Sequence, residues 1–427
     1  MRDRLTAAEI RTLAIASLGS ALEFYDFIVF VYLTNIIGRL FFPADVLPWV
    51  RQLETFGIFA AGYLARPLGG LLIGHLSDLQ GRKTTFMLSV ALMAVPTLLI
   101  GCLPTYRAIG AAAPLLLLIL RLIQGAAIGG EAPAAWVFVG ENVPLRRQGL
   151  AIGLVTSGLT SGILLGSLTS AFLSIAFTPP QILDGAWRLV FVLGGVFGLV
   201  TVALRRRLIE SPIFQQLQHY ADLEDLPIRV VVKHHKVAVA LSMAVTWSLT
   251  AIIIVVILMG PPLLQALFDL PAKAVQIANA AGTFSLCLST TALGFLSDRF
   301  GLLRVLGPTF LLSIIADYFL YSGAYRTAPN ALLLIYILAG FGAGAIVLAP
   351  IFMIRSFPVS VRVTGMSFSY NTAYAVLGGL TPPLVAWLSH INHLAPAHYT
   401  ALATSAALAV MLLQRESLRP QSRSAGS

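Results

Sequence analysis

Six ionisable side chains lie inside long apolar runs of this chain: Glu23, Asp26, Arg66, Arg121, Glu131 and Asp317. A charge at the centre of a bilayer costs about 2.5–3.5 kcal/mol on insertion scales, so such residues are expected to be paired and used. Glu23 and Asp26 stand three apart and share a helix face. Dry surroundings oppose ionisation of a carboxylate and a neighbouring cation favours it, so an acid beside a movable arginine can load and release a proton. Asp26, Glu23 and Glu131 are the candidate proton-binding acids, with Arg121 the cation. Arg66 and Arg121 also offer forked donors to a carboxylate, which favours an anionic or zwitterionic small molecule. Tyr25, Gln124, Trp247, Tyr370, Asn371 and Tyr374 bring further polar and aromatic groups able to line a cavity. The competing reading of the acid and the arginine is a permanent ion pair that only fixes helix packing.

The elements that must position these residues follow from composition. Of 427 residues, 57% are hydrophobic and 11% charged, with mean hydropathy +0.86. A water-soluble domain carries about 25% charged residues, so a cytoplasmic enzyme, a disordered scaffold and a nucleic-acid binder are excluded, and lipid is the natural solvent. Twelve runs are long enough to cross a bilayer: 12–37, 50–74, 84–103, 113–138, 149–177, 185–204, 237–261, 274–297, 303–323, 331–354, 364–389 and 398–414. The first is too long and too acidic for a secretory signal and reads as an uncleaved span. Of the 28 Lys and Arg, 20 fall in segments on the N-terminal side of the membrane, six on the other, and Arg66 and Arg121 inside spans. Positive loops stay in the cytoplasm, so both termini are expected there and the +10 charge is a topology signal. Asp317, in the ninth span, is expected at the outer interface. Cys102 and Cys287 offer no metal-ligand spacing.

The segment Gly74–Lys83 (GHLSDLQGRK) returns 220 residues later as GFLSDRFGLLR from Gly294 to Arg304, and Pro144, Arg147 and Gly149 resemble Pro358, Arg362 and Gly365. Two six-span halves in parallel repeat are therefore expected: a bundle over 1–204, a cytoplasmic loop over 205–236 and a second bundle over 237–427. The two repeated loops read as gates. Asp78 and Asp298 suit helix N-termini, with Gly74, Gly81, Arg82, Glu141 and Arg147 expected around the first and Glu210, Arg299, Arg304 and Arg362 around the second. Small-residue helix packing is expected at Gly153, Gly158, Gly162 and Gly166 and at Gly340 and Gly344.

The loop G-x-x-x-D-x-x-G-R-K resembles the hallmark of the major facilitator superfamily. The runs LEFYDF (22–27), RPLGG (66–70), RLIQG (121–125), GGE (129–131), ESPIF (210–214) and VTGMSFSYN (363–371) resemble the metabolite:proton symporter family over nearly the whole chain. Leu79, Leu302 and Leu303 depart from its basic cluster, and the seventh span lacks the tyrosines of relatives. The resemblance implies an all-α integral membrane fold of twelve spans, meeting of Asp26 and Arg121 in a central cavity, and proton-coupled import of a small organic acid or zwitterion by alternating access. It implies no enzyme activity and no cofactor beyond a proton gradient. The expected partners are a small solute, protons and the lipid bilayer, with no nucleic acid; the expected setting is a monomer in the inner (plasma) membrane. Gly153, Gly162 and Gly166 also resemble a motif of proton-driven exporters, with Ser167 in place of its proline, and export stays open as the alternative. The short tail after Gln414 speaks against the osmosensing betaine transporters with a coiled-coil tail.

Overall fold

A computed structural model describes residues 5–43, 45, 48–219, 227–327 and 329–414. Twelve long helical segments succeed one another: α1 Ala7–Tyr32, α2 Pro48–Gln80, α3 Arg82–Cys102, α4 Ala112–Asn142, α5 Leu145–Ala176, α6 Pro179–Arg205, α7 Lys236–Leu258, α8 Ala272–Phe300, α9 Leu302–Ser322, α10 Ala331–Ser356, α11 over 362–391 and α12 Ala395–Leu413. Ten of these are long and apolar enough to cross a membrane. Of the other two, α2 holds the apolar stretch 56–73 interrupted by Arg66, and α11 opens on the Ser-, Thr- and Tyr-bearing stretch Arg362–Ala373. Leu64, Leu68, Leu72, Phe172, Ile175 and Leu193 are exposed on the outside of the bundle, a placement that lipid, not water, makes neutral.

The expected spans recur with shifted ends. The largest shifts, six residues, are the late end of α2 at Gln80 and the early start of α6 at Pro179; five residues separate the expected start from that of α1. Thr6 caps it: Glu9 N donates to Thr6 Oγ1 at 3.2 Å and Thr6 N to Glu9 Oε2 at 2.6 Å. This capping box settles four otherwise orphaned donors in part and outweighs the polar character of the first turn. Arg205 likewise belongs to α6 and is fully buried, not the first residue of a loop.

The two halves repeat in their packing. In the first, α1 lies on α5, α2 on α4 and α3 on α6; in the second, α7 lies on α11, α8 on α10 and α9 on α12. The halves meet through α5 against α8 and α2 against α11, pairs that the repeat exchanges. Close approach depends on missing side chains. A Cβ at Gly125 would sit 1.9 Å from Gly62 O, and one at Gly340 would sit 1.9 Å from Gly282 O, so α2–α4 and α8–α10 touch backbone to backbone at equivalent places. The glycines at the repeated loop turns, Gly81 (φ 114°) and Gly301 (φ 88°), adopt backbone angles that other L-residues rarely take, which permits the immediate reversal from α2 to α3 and from α8 to α9.

Regularity differs between three pairs of equivalent helices. α1, α4 and α5 run as unbroken α-helix from Ala7, Ala112 and Gln148, whereas α7 ends in a π turn over Ile253–Leu258, α10 passes through a 3-10 turn at Gly344–Val347, and α11 through a π turn at Tyr374–Gly378. Gly340→Val should force α8 and α10 apart and cost at least about 1–3 kcal/mol, read as a lower melting temperature of the detergent-solubilised protein. A variant as stable as the parent would show that the contact is not close in the folded protein.

Candidate functional site

The acid and the arginine meet. Asp26 on α1 and Arg121 on α4 are both buried, with Arg121 Nη1 3.0 Å from Asp26 Oδ2. Thr97 on α3 donates to Asp26 Oδ1 at 2.9 Å, Gln124 Nε2 donates to Thr97 at 2.8 Å, and Arg121 Nη1 also donates to Gln124 Oε1 at 2.9 Å. The guanidinium carbon of Arg121 stands 3.8 Å from the centre of the Phe30 ring. Three helices thus hold one ion pair in a closed ring of charge-assisted hydrogen bonds. Beside it lies a cavity of about 20 Å³, lined by Gly62, Tyr63, Arg66, Arg121, Gln124, Gly125 and Ile128, with room for about one water.

Arg66 forms the other wall. Its guanidinium carbon lies 4.6 Å from the ring centre of Tyr374, 5.4 Å from Tyr63 and 5.9 Å from Tyr370. Trp136 meets Tyr370 edge-on at 5.3 Å, and Tyr370 and Tyr374 are 5.3 Å apart. Arg66 therefore sits among aromatic faces contributed by α2 and α11, one from each half, an arrangement that suits a cation.

Other candidates take up other positions. Glu131 is ten residues along α4 from Arg121, about 15 Å away on a helix, and pairs with Arg205 at 2.6 Å while accepting from Ser89. Arg205 also donates to Phe86 O and lies 3.4 Å from the Phe86 ring centre, so this pair is fully sealed inside the first half. Tyr25 points to α6, donating to Val190 O at 2.9 Å. Asn371 donates to Gly129 O and Ser367 O, bridging α11 to α4. Trp247 donates to Tyr399 at 2.9 Å, on the face of α7 turned to α12. The side chain of Glu23 lies outside the described residues. Tyr63, Thr97 and Arg205 were not singled out by the sequence reading. Thr97 is one hydroxyl in an apolar span, and Arg205 was counted with the loop charges.

The repeated loops close the face at which α1 begins and α12 ends. Asp78 accepts from Thr364 N at 2.8 Å, Thr364 Oγ1 at 2.7 Å and Val363 N at 3.4 Å, and so caps α11 from across the halves. Asp298 does the same for the helical start of α5, accepting from Gly149 N at 2.7 Å and Leu150 N at 2.8 Å. The first latch is the more heavily charged. Arg82 lies 2.9 Å from Asp78 and donates to Val359 O of the other half at 2.8 Å. Glu141 pairs with Arg362 at 3.0 Å and Arg82 at 3.4 Å. Gly74 leaves room for this crossing, since a Cβ there would lie 3.0 Å from Thr364 Cα.

Partners are exchanged relative to the sequence reading: Arg362 and Glu210, expected near Asp298, serve the Asp78 side. Each aspartate caps a helix of the opposite half, which carries Arg362 to Asp78 and Arg147 towards Asp298. Glu210, just beyond α6, folds back to accept from Arg82 N and Lys83 N at the start of α3, both at 3.1 Å. Arg147 lies 6.0 Å from the Phe295 ring centre and Arg299 5.4 Å from that of Phe300, while Arg304 is exposed.

Twelve spans in two repeated bundles, latched on one side around a buried charged centre, define a membrane transporter of the major facilitator class. Residues 12–225 match the family model described as sugar (and other) transporter. A proline/betaine transporter of Staphylococcus aureus, named as putative, is 31% identical over 94% of this chain and 88% of its own length. The inner membrane metabolite transport protein YhjE of Escherichia coli is 29% identical over 88% and 87%. Among solved structures, the proton:xylose symporter XylE bound to 6-bromo-6-deoxy-D-glucose has a TM-score of 0.78 at 16% identity, covering 96% of each chain. The chain belongs to the sugar (and other) transporter family of the major facilitator superfamily, a family of multi-pass membrane transporters of small molecules and not of enzymes.

Asp78→Asn should loosen the latched face more than Asp298→Asn, because it strips charge from both a helix cap and an ion-pair cluster. With about 1.5–3 kcal/mol for a hydrogen bond to a charged group, thiol labelling at Ser367→Cys, beside Gly74, should quicken about tenfold or more in the first variant and less in the second. Equal rates would remove the asymmetry.

Proposed function

We propose that this chain is a proton-coupled importer of a small zwitterionic or carboxylate solute, in which Asp26 carries the proton and Arg121, with Arg66, receives the solute carboxylate. The observation that carries the reading is the 3.0 Å contact of Asp26 with Arg121 on the wall of the cavity that Arg66 also lines. While Asp26 is ionised, Arg121 is committed to it. A proton arriving from outside cancels that attraction and lets Arg121 turn to an incoming carboxylate. When the solute leaves on the inner side, Arg121 returns to Asp26 and the proton is expelled. Proton and solute are thereby bound together and released together, one of each per cycle.

The solute class rests on complementary chemistry. Two arginines suit a carboxylate, and the faces of Tyr63, Tyr370 and Tyr374 suit a quaternary or secondary ammonium once Arg66 moves aside. Among small zwitterions this favours proline- or betaine-like solutes, in keeping with the names of the relatives. The Lys/Arg distribution puts the latched face in the cytoplasm. The setting is the plasma (inner) membrane with both termini inside, and one chain, holding both halves of the pathway, is the working unit.

In proteoliposomes with an inward proton gradient, labelled betaine, proline, 2-oxoglutarate, citrate and shikimate should be screened with and without a protonophore. Accumulation of a zwitterion that the protonophore abolishes supports the reading; movement driven only in inverted vesicles turns it to export. Asp26→Asn should abolish accumulation against a gradient while leaving solute exchange intact, and unchanged uphill uptake would remove Asp26 from the proton path. Arg121→Ala should lose binding as well as uptake, whereas retained affinity would reduce Arg121 to a packing role. Tyr374→Leu should raise KM for betaine roughly fivefold or more, as expected for about 1 kcal/mol of lost cation–aromatic attraction.

A further inference from the structure

Asp317 belongs to neither the central site nor the latches. It lies on α9, five residues before the outer end of that helix at Ser322, and the side chain is enclosed by protein rather than exposed at the interface where the sequence reading placed it. Neither carboxyl oxygen has a hydrogen-bond partner, and no ion pair is formed with it among the described residues. Its neighbours are hydroxyls. Thr400 of α12 faces it, with its own hydroxyl directed to Ala397 O. Tyr321, one turn along α9, and Tyr336 of α10 are the titratable groups that act on it, and Tyr325 stands beyond them. These phenols are already committed as donors, Tyr321 to Val255 O at 2.7 Å, Tyr336 to Val256 O at 3.3 Å and Tyr325 to Leu320 O at 2.9 Å.

An ionised carboxylate in such a place, with no cation and only the Thr400 hydroxyl near it, is among the costliest groups a protein can bury. Something positive has to neutralise it. A metal cation needs several oxygen ligands, and no group of three or more acidic, His or Cys ligands occurs among the described residues. A proton needs one.

Access from outside is short. Asp317 is about 8 Å along the helix axis from the outer end of α9. Tyr318, the next residue, shares a 2.7 Å hydrogen bond with Nδ1 of His398, which is exposed at the start of α12 two residues before Thr400. Tyr321, nearer the outer end of α9, extends the connection sideways to α7, because its hydroxyl holds a carbonyl in the π turn of that helix.

We propose that Asp317 is a second proton-binding site, in the C-terminal half and loaded from the outer face past His398, whose occupancy sets the hold of Tyr321 on the π turn of α7. With the proton bound, Tyr321 keeps its bond to Val255 O. With the proton gone, the carboxylate competes for the phenol and the turn in α7 loses its tether. This site is independent of the solute and of Asp26.

Dicyclohexylcarbodiimide, which reacts with protonated carboxyls in apolar surroundings, provides a test on the full wild-type chain in membranes, read by peptide mass spectrometry. An adduct at Asp317 whose yield falls as the outer pH is raised from about 5 to 9, across the range a buried carboxyl reaches, is the expected result. Its persistence in Asp26→Asn, and its disappearance from that peptide in Asp317→Asn, would separate it from the central acid. No adduct at any pH, or a yield that pH does not change, overturns the proposal. Protection by sodium chloride but not by potassium chloride would make this a metal-cation site and overturn the proton assignment. Because labelling needs no transport, failure here is distinguishable from failure of the importer reading.

Discussion

A helix that begins inside a membrane protein presents N–H groups that neither water nor lipid can satisfy, and in this molecule the two that matter most are satisfied from across the central divide. Asp78 receives the first N–H groups of α11, and Asp298 those of the helical start of α5. The carboxylate stands at the end of its own helix, where the dipole disfavours it, and is compensated by the start of a helix from the other half, joined at Asp78 by Arg82. Separation of the halves on this side therefore leaves the helix start unsatisfied and strips the acid of its backbone donors. The glycines at the crossing, the reversal at Gly81 and Gly301, and the cluster of Arg82, Glu141 and Arg362 all serve to bring these ends into register.

Charge is distributed unequally over the repeat. The first half encloses two ion pairs, Asp26 with Arg121 and Glu131 with Arg205, about three helical turns apart along α4. They differ in surroundings. The first borders a cavity and shares its ligands with Thr97 and Gln124, which are neutral and can rearrange; the second is sealed by Ser89 and the Phe86 ring. A buried pair without access to solvent is held by the cost of leaving either charge alone, so Glu131 and Arg205 act as a fixed brace. The second half answers with hydroxyls and aromatic faces, and with the isolated acid on α9.

The spans were legible because lipid imposes a simple demand for about twenty apolar residues per crossing, and the repeat was legible because the latch needs the same glycine and aspartate at both copies. Details that depend on side-chain direction were not. The motif Thr6-x-x-Glu9 announces the start of α1, but it lies ahead of the apolar run that marks the span. Tyr25 shares a span with Asp26, yet one residue along a helix turns it by about 100°, and it faces α6 instead of the cavity. Trp247 and Asn371 are polar enough to meet a solute, but each finds a partner on a neighbouring helix. Arg205 read as a loop cation because it ends its span; only the position of Glu131 explains its burial. Tyr63 and Thr97 carry no signal at all until the helices around Arg66 and Asp26 are assembled.

The contrast between α1, α4 and α5 and their counterparts α7, α10 and α11 has a mechanical consequence. A continuous α-helix passes a push at one end to the other, while a π or 3-10 turn loosens the backbone ladder and behaves as a joint. Of the helix pairs that the repeat equates, α1, α4 and α5 are rods and α7, α10 and α11 are rods with joints. In these three pairs the first copy is stiff and the second articulated, while α6 of the first half carries a π turn of its own at Ile182–Ala186, so that the tips of α7, α10 and α11 away from the latches have freedom to bend while the latched ends stay clasped.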